Sequence, residues 1–229
     1  MKKSHIATLI TFFLLIPATL FLGTKLPGRT YYITGTLIIL ELMIPFFMAF
    51  ESRKPQAREL VIIAVLSAIA IAGRVLIPVP DFKAIFAVIM LAGIAFGPET
   101  GFMVGAIAAL GSNFVYGQGA YTPWQMFSYG TAGMLAGFVF GKGRLPRKSW
   151  LMAIFGFVTV ILVVGPILDS MTFFLGFAKL SKENFVAVFA PGFVHNCMNG
   201  LCTAAVMLIL GKLFLSILNR IQVKYGMLE

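Results

Sequence analysis

Apolar runs of helix length, almost free of charge, recur from residue 4 to residue 216. About 20 such residues in a helix cross a hydrocarbon layer of roughly 30 Å. Inside that layer every backbone N–H and C=O must be satisfied within a helix or a closed barrel. The runs are too long and too continuous for alternating barrel strands of about ten residues, so an all-α polytopic membrane bundle is expected. Only 11% of the 229 residues are charged, against about 25% in soluble domains, and the loops leave no room for a soluble domain.

Eight spans emerge, at residues 4–23, 31–50, 59–78, 83–97, 100–116, 126–141, 149–169 and 188–216. The fourth and fifth are short for a bilayer, which fits helices that are tilted or partly buried beside a cavity. Met1-Lys2-Lys3 ahead of an apolar run has the look of a signal peptide. A second span follows at once, however, and Phe21-Leu22-Gly23-Thr24 is a poor cleavage site, so the first span is expected to be retained.

The net charge of +10 does not mark a nucleic-acid surface, because the basic residues sit at span ends, where the positive-inside rule places them. Lys2-Lys3, the loop with Arg53, Lys54 and Arg58, the cluster Lys142/Arg144/Arg147/Lys148 and the tail with Arg220 and Lys224 are separated by even numbers of spans. All four are therefore expected in the cytoplasm, with both termini, and only Lys25 and Arg29 dissent mildly. Residues 117–125, Pro78–Lys83 and the connection from Asp169 to Val188 then face outward, while the cytoplasmic turn Gly97-Pro98-Glu99 is minimal. That asymmetry points to an outward pocket roofed by loops.

One outward turn concentrates uncharged polar chemistry. Asn113, Tyr116, Gln118, Tyr121, Trp124 and Gln125 offer amides, hydroxyls and flat rings, a set suited to a large, mostly neutral organic ligand. The competing view is an interfacial aromatic belt with a polar turn. The last span opens with PGFVHNCMNG, placing His195 and Asn199 on one face beside Asn196. Intramembrane polar groups of this kind mark function by default, although interhelical hydrogen bonds explain them too. Asp169, at an outer helix end, faces either ligand or water.

Other features carry less. His195-x-x-x-Asn199 is half of an intramembrane prenyl-protease motif, but no span carries the adjacent glutamates such chemistry requires, and no enzyme is expected. Gly137-Phe-Val-Phe-Gly141-Lys142 is too short for a phosphate loop. Cys197 and Cys202 have neither metal nor redox spacing. Glu41 and Arg74 are expected to pair between antiparallel neighbours. Ala64, Ala68 and Ala72 form a smooth stripe open to close helix approach, while Gly93/97/101/105 and Gly133/137/141 mostly serve internal packing.

Residues 97–137, GPETGFMVGAIAALGSNFVYGQGAYTPWQMFSYGTAGMLAG, resemble the substrate-binding S components of energy-coupling factor (ECF) vitamin transporters, and the alanine stripe resembles that family's alanine motif. The resemblance implies a six-helix S-component core over residues 53–229, with residues 1–52 as a two-helix transmembrane extension. It implies outward capture of a vitamin and docking through Ala64, Ala68 and Ala72 on a membrane coupling protein with two ATPase subunits. The cargo is then released inside as the S component topples in the bilayer. The ligand set would be Asn113, Tyr116, Gln118, Tyr121, Trp124, Gln125, Asp169, His195, Asn196 and Asn199. No intrinsic cofactor or metal is implied. The SNFxxGQGxxTPWQMF version is most similar to cobalamin members, although Ala120-Tyr121 stand where proline and tryptophan are expected. Cobalamin or a related corrinoid is therefore the expected cargo. The alternatives are another vitamin or precursor, or a self-sufficient ion-coupled carrier using Glu41 or Asp169.

Overall fold

The computed structural model describes residues 3–25, 31–77, 79, 82–177 and 181–225. Lys2, Arg29, Pro78 and the loop positions 80 and 81, which figured in the charge and loop assignments, lie outside the described residues. Every described element is helical. Lys3–Ile10, a π turn at Thr11–Leu15 and Ile16–Lys25 run on as one helix, α1. Then follow α2 (Tyr31–Ser52), α3 (Ala57–Val75), α4 (Ile85–Phe96), α5 (Pro98–Tyr116) and α6 (Thr122–Phe140). The seventh, α7, joins Ser149–Thr159, a π turn at Val160–Val164 and Gly165–Gly176. The last, α8, is Lys182–Lys224.

The helices match the eight expected spans one for one, and the differences lie at the ends. Helix α7 continues past Asp169 to Gly176, and α8 starts at Lys182 rather than 188. The expected long connection from Asp169 to Val188 is therefore mostly helix. The start of α8 is capped by Ser181, whose hydroxyl accepts from the Asn184 N–H at 3.2 Å. Its polar first turn, Lys182-Glu183-Asn184, hid the start from an apolar window. With 43 residues, α8 is about 65 Å long, more than twice the hydrocarbon thickness. Among the described residues, Ile6–Gly23, Tyr32–Ser52, Ser149–Gly176 and Lys182–Lys224 are long and apolar enough to cross a membrane.

Helix α4 is the axle of the bundle. Every residue from Ile85 to Ile94 is buried, so it is apolar all round, as a fully enclosed helix should be. At 12 residues it reaches only about 18 Å, which leaves room beyond one of its ends. The other end is tied down. Arg147 donates to the Ile94 carbonyl at 3.1 Å and Gln222 to the Ala95 carbonyl at 2.7 Å, satisfying acceptors that a helix C-terminus leaves open. Gly97, at φ 99°, then reverses the chain, a backbone state that favours glycine, and Pro98 starts α5.

Helices α5 and α6 make the most extensive pairing. Gly101 faces Gly133, and Gly93 of α4 completes the junction; a Cβ on any of the three would strike a neighbour's backbone. These glycines therefore serve the bundle itself.

The N-terminal pair attaches through α2, which packs on α5, α6 and α7 while α1 lies chiefly on α2. Phe46 stacks on Phe102 with centroids 4.5 Å apart. Where α2 hands over to α3, Arg53 bonds Glu59, reaches Glu99 at 3.4 Å and Thr100 at 3.3 Å, and so joins this junction to the start of α5. The expected Glu41–Arg74 pair does not form. Helix α2 packs away from α3, and Glu41 instead accepts a hydrogen bond from Thr19 of α1.

Candidate functional site

The turn from Asn113 to Gln125 is knitted to itself. Asn113 is fully buried; its amide donates to Gln125 at 2.7 Å and to Thr122 at 3.2 Å, while its carbonyl accepts from Arg74 at 3.1 Å. Gln118 donates to the Leu110 carbonyl at 3.0 Å and accepts from the Thr122 hydroxyl at 2.9 Å. The Tyr121 hydroxyl donates back to the Gly117 carbonyl at 2.6 Å. Trp124 points the other way, its indole N–H on Thr36 of α2 at 3.2 Å and its ring beside Phe174 of α7. Buried amides need partners, and here each finds one close by in the chain.

Beside this turn, beyond the free end of α4, lies a cavity of about 260 Å³. Its floor is Ile85 and Phe86 at the start of α4. One wall carries Arg74 at the end of α3, Lys83 just before α4, Tyr116 of α5 and Tyr129 of α6. The facing wall carries Val160, Val164 and Leu168 of α7 with His195, Asn196 and Asn199 of α8. Four of the ten expected ligand residues therefore line it: Tyr116, His195, Asn196 and Asn199. Asp169 stands one bond behind, accepting from the Asn196 amide at 2.9 Å. Asn113, Gln118, Tyr121, Trp124 and Gln125 are not among the lining residues.

Local chain features hold these groups in place. Pro166 removes an N–H from α7 just after the π turn, and π turns absorb such a disruption. The turn presents Val160 and Val164 to the cavity, and its Val164 carbonyl accepts from Ser128 of α6 at 3.2 Å. Where α7 crosses α8, Gly165 sits against Asn196 and Gly192 against Asp169, so the amide–carboxylate pair occupies space that any side chain would fill. The Asn199 amide donates to the His195 carbonyl at 3.1 Å.

Arg74 links the two regions. Its Nη1 bonds Ser112 and Asn113. Its guanidinium lies over the rings of Tyr116 and Tyr129, 4.9 and 5.5 Å from their centroids, and its own carbonyl accepts from the Tyr116 hydroxyl at 3.1 Å. The Lys83 ammonium donates to the Ile77 carbonyl at 2.7 Å. Lys83 and Tyr129 escaped the sequence reading, and Arg74 was assigned to a structural ion pair. The rule that intramembrane charges mark function was enough to find Arg74; nothing local distinguishes Tyr129.

The alanine stripe runs along α3 from mid-helix toward its Arg74 end. Ala64 and Ala68 are exposed and Ala72 is half-buried, flanked by exposed Val61 and Val65.

The family described as ECF-type riboflavin transporter, S component, matches the chain over residues 54–215. No curated protein and no solved structure matches it.

Proposed function

The chain belongs to the ECF-type riboflavin transporter S component family, and from that premise we propose that it captures a flavin-class vitamin in the cavity between Arg74 and Asn199. It is a membrane transport subunit rather than an enzyme, and such subunits work with an ECF module of coupling protein and ATPases. The observation that carries the flavin reading is the cavity itself. At about 260 Å³ it falls just below the usual range of small-ligand sites, roughly 300–1,000 Å³. That suits one flat heterocycle whose side chain extends toward the mouth. A corrinoid has several times as many heavy atoms as a flavin, so the cavity volume and the family's name both favour the flavin over the expected cobalamin. The rings of Phe86 and Tyr129 supply apolar faces, and the amides of Asn196 and Asn199 suit a carbonyl- and imide-bearing edge.

The charge count along the chain supports an orientation with both termini inside, which turns the cavity outward. The exposed face of α3 at Ala64 and Ala68, with Ala72 at its edge, is the docking surface in this account. Residues 1–52 form the two-helix extension and residues 53–229 the S-component core.

The test is titration of riboflavin fluorescence with purified protein in detergent, without ATP. Saturable quenching supports the reading; quenching by none of the flavins, alongside binding of cobalamin, overturns it. For docking, Ala68→Trp is expected to abolish uptake in cells that contain the ATPase module while leaving quenching intact. Loss of quenching in that variant would return the alanine stripe to internal packing.

A further inference from the structure

The cavity grades from an open mouth to a closed end. Tyr116 and His195 are exposed, whereas Phe86, Tyr129, Val160, Val164, Asn196 and Asn199 are buried. At the closed end the two amides donate within the chain, Asn196 to Asp169 at 2.9 Å and Asn199 to the His195 carbonyl at 3.1 Å. Tyr129 differs from them. It lines the cavity and is only 4% exposed, yet its hydroxyl makes no hydrogen bond to a described residue. Buried hydroxyls are ordinarily satisfied.

The surrounding helices fix this phenol in place. Gly105 of α5 faces its backbone so closely that a Cβ there would come within 2.4 Å of the Tyr129 carbonyl oxygen. Phe86 meets the ring edge to face, with centroids 4.8 Å apart and planes at 76°. The Arg74 guanidinium lies over the ring at 5.5 Å, its Nη1 held by Ser112 and Asn113. The same guanidinium lies over Tyr116 at 4.9 Å, but that hydroxyl donates to the Arg74 carbonyl at 3.1 Å. Of two phenols beneath one cation, Tyr116 is engaged in holding the wall and Tyr129 is not. A cation over a phenol ring draws electron density from it and makes its O–H the better donor. A buried donor held rigid in advance loses little freedom when a guest accepts from it.

We propose that the Tyr129 hydroxyl is a specificity determinant of the cavity, donating to a ring carbonyl or ring nitrogen at the inner edge of a flat heterocycle. This rests on the flavin reading above and deepens it. A heterocycle with an acceptor at that edge satisfies the phenol. One with only C–H there leaves it buried and unpaired, and a site built to hydrogen-bond its ligand rejects such analogues more strongly than it rejects a change in apolar size. The ligand's flexible side chain, lying toward Tyr116 and His195 at the mouth, takes no part in this bond.

The test titrates the full-length protein in detergent, unaltered and as Tyr129→Phe, with riboflavin and with lumiflavin, which keeps the ring system and lacks the sugar-alcohol chain. One hydrogen bond lost in a desolvated site corresponds to about tenfold in Kd. Tyr129→Phe is expected to raise both Kd values by that same factor and to leave the unfolding temperature of the ligand-free protein unchanged. A riboflavin Kd that the substitution does not alter overturns the proposal, while saturable quenching by the unaltered protein leaves the flavin reading standing. A rise for riboflavin alone also overturns it, because the hydroxyl would then meet the side chain. So does a variant that unfolds at lower temperature or fails to fold, since the hydroxyl would then serve the bundle. If the unaltered protein quenches neither flavin, both readings fall together.

Discussion

Two polar regions sit side by side at one end of this bundle, and they differ in what their groups are bonded to. In the turn from Asn113 to Gln125 each amide is joined to another group of the same short stretch or of a neighbouring helix end. Along the cavity wall, Arg74 and Lys83 form no ion pair with a described residue, and the Tyr129 hydroxyl no hydrogen bond to one. The first pattern is that of a scaffold, since satisfied buried networks rigidify a fold. The second is that of a receptor, in which donors are held ready for a guest. Density of polar residues in a sequence therefore says less about binding than whether those residues satisfy one another.

The contrast is breakable by mutation. The largest effect is expected from Trp124→Ala, which empties the space between α2, α6 and α7 where the indole meets Thr36 and Phe174. Truncating a buried Trp costs about 3–5 kcal/mol, so a marked fall in thermal unfolding temperature in detergent should appear, with riboflavin affinity retained in the folded fraction. Weakened affinity without lost stability would move Trp124 back into the ligand set. Next comes Asn113→Leu, which leaves Arg74, Thr122 and Gln125 each short of a partner. The expected loss is about 2–3 kcal/mol, read in the same unfolding assay. Smallest is Tyr121→Phe, which deletes one hydrogen bond to Gly117 in the exposed turn. It should cost about 1 kcal/mol or less and leave the flavin titration unchanged; a shifted titration would place that turn in the binding site.

The architecture was legible in the sequence because its signals are local. Apolar runs of helix length named the eight helices, and Gly97-Pro98 marked the tight turn between α4 and α5. The glycine repeats indicated internal packing, which the meeting of Gly93, Gly101 and Gly133 bears out, and the alanine spacing on α3 indicated a smooth face. Where polar residues open a helix, as in Lys182-Glu183-Asn184, the same apolar window cut α8 short. The partner of Arg74 was misassigned because chain order made α2 and α3 look like packed neighbours, whereas α2 lies on α5, α6 and α7.

The cavity was only half legible, for a different reason. His195, Asn196 and Asn199 lie within one helical turn and announce themselves as polar groups in a membrane span. The opposing wall is assembled from Arg74, Lys83, Tyr116 and Tyr129, drawn from the ends of α3 and α5, the interior of α6 and a loop. No spacing rule encodes that convergence. The amide-rich turn drew attention because its residues are adjacent, and adjacency is also what lets them bond to each other.

The most direct measurement is a matched pair of amide-to-leucine changes, Asn199→Leu on the cavity wall and Gln125→Leu in the knitted turn, each titrated with riboflavin at a temperature where both variants are folded. This account predicts that Asn199→Leu raises Kd about tenfold or more, the equivalent of one lost hydrogen bond in a desolvated site, while Gln125→Leu stays within about threefold of the unaltered protein. The reverse order, with the turn variant losing affinity and the cavity variant keeping it, would contradict the placement of the vitamin between Arg74 and Asn199.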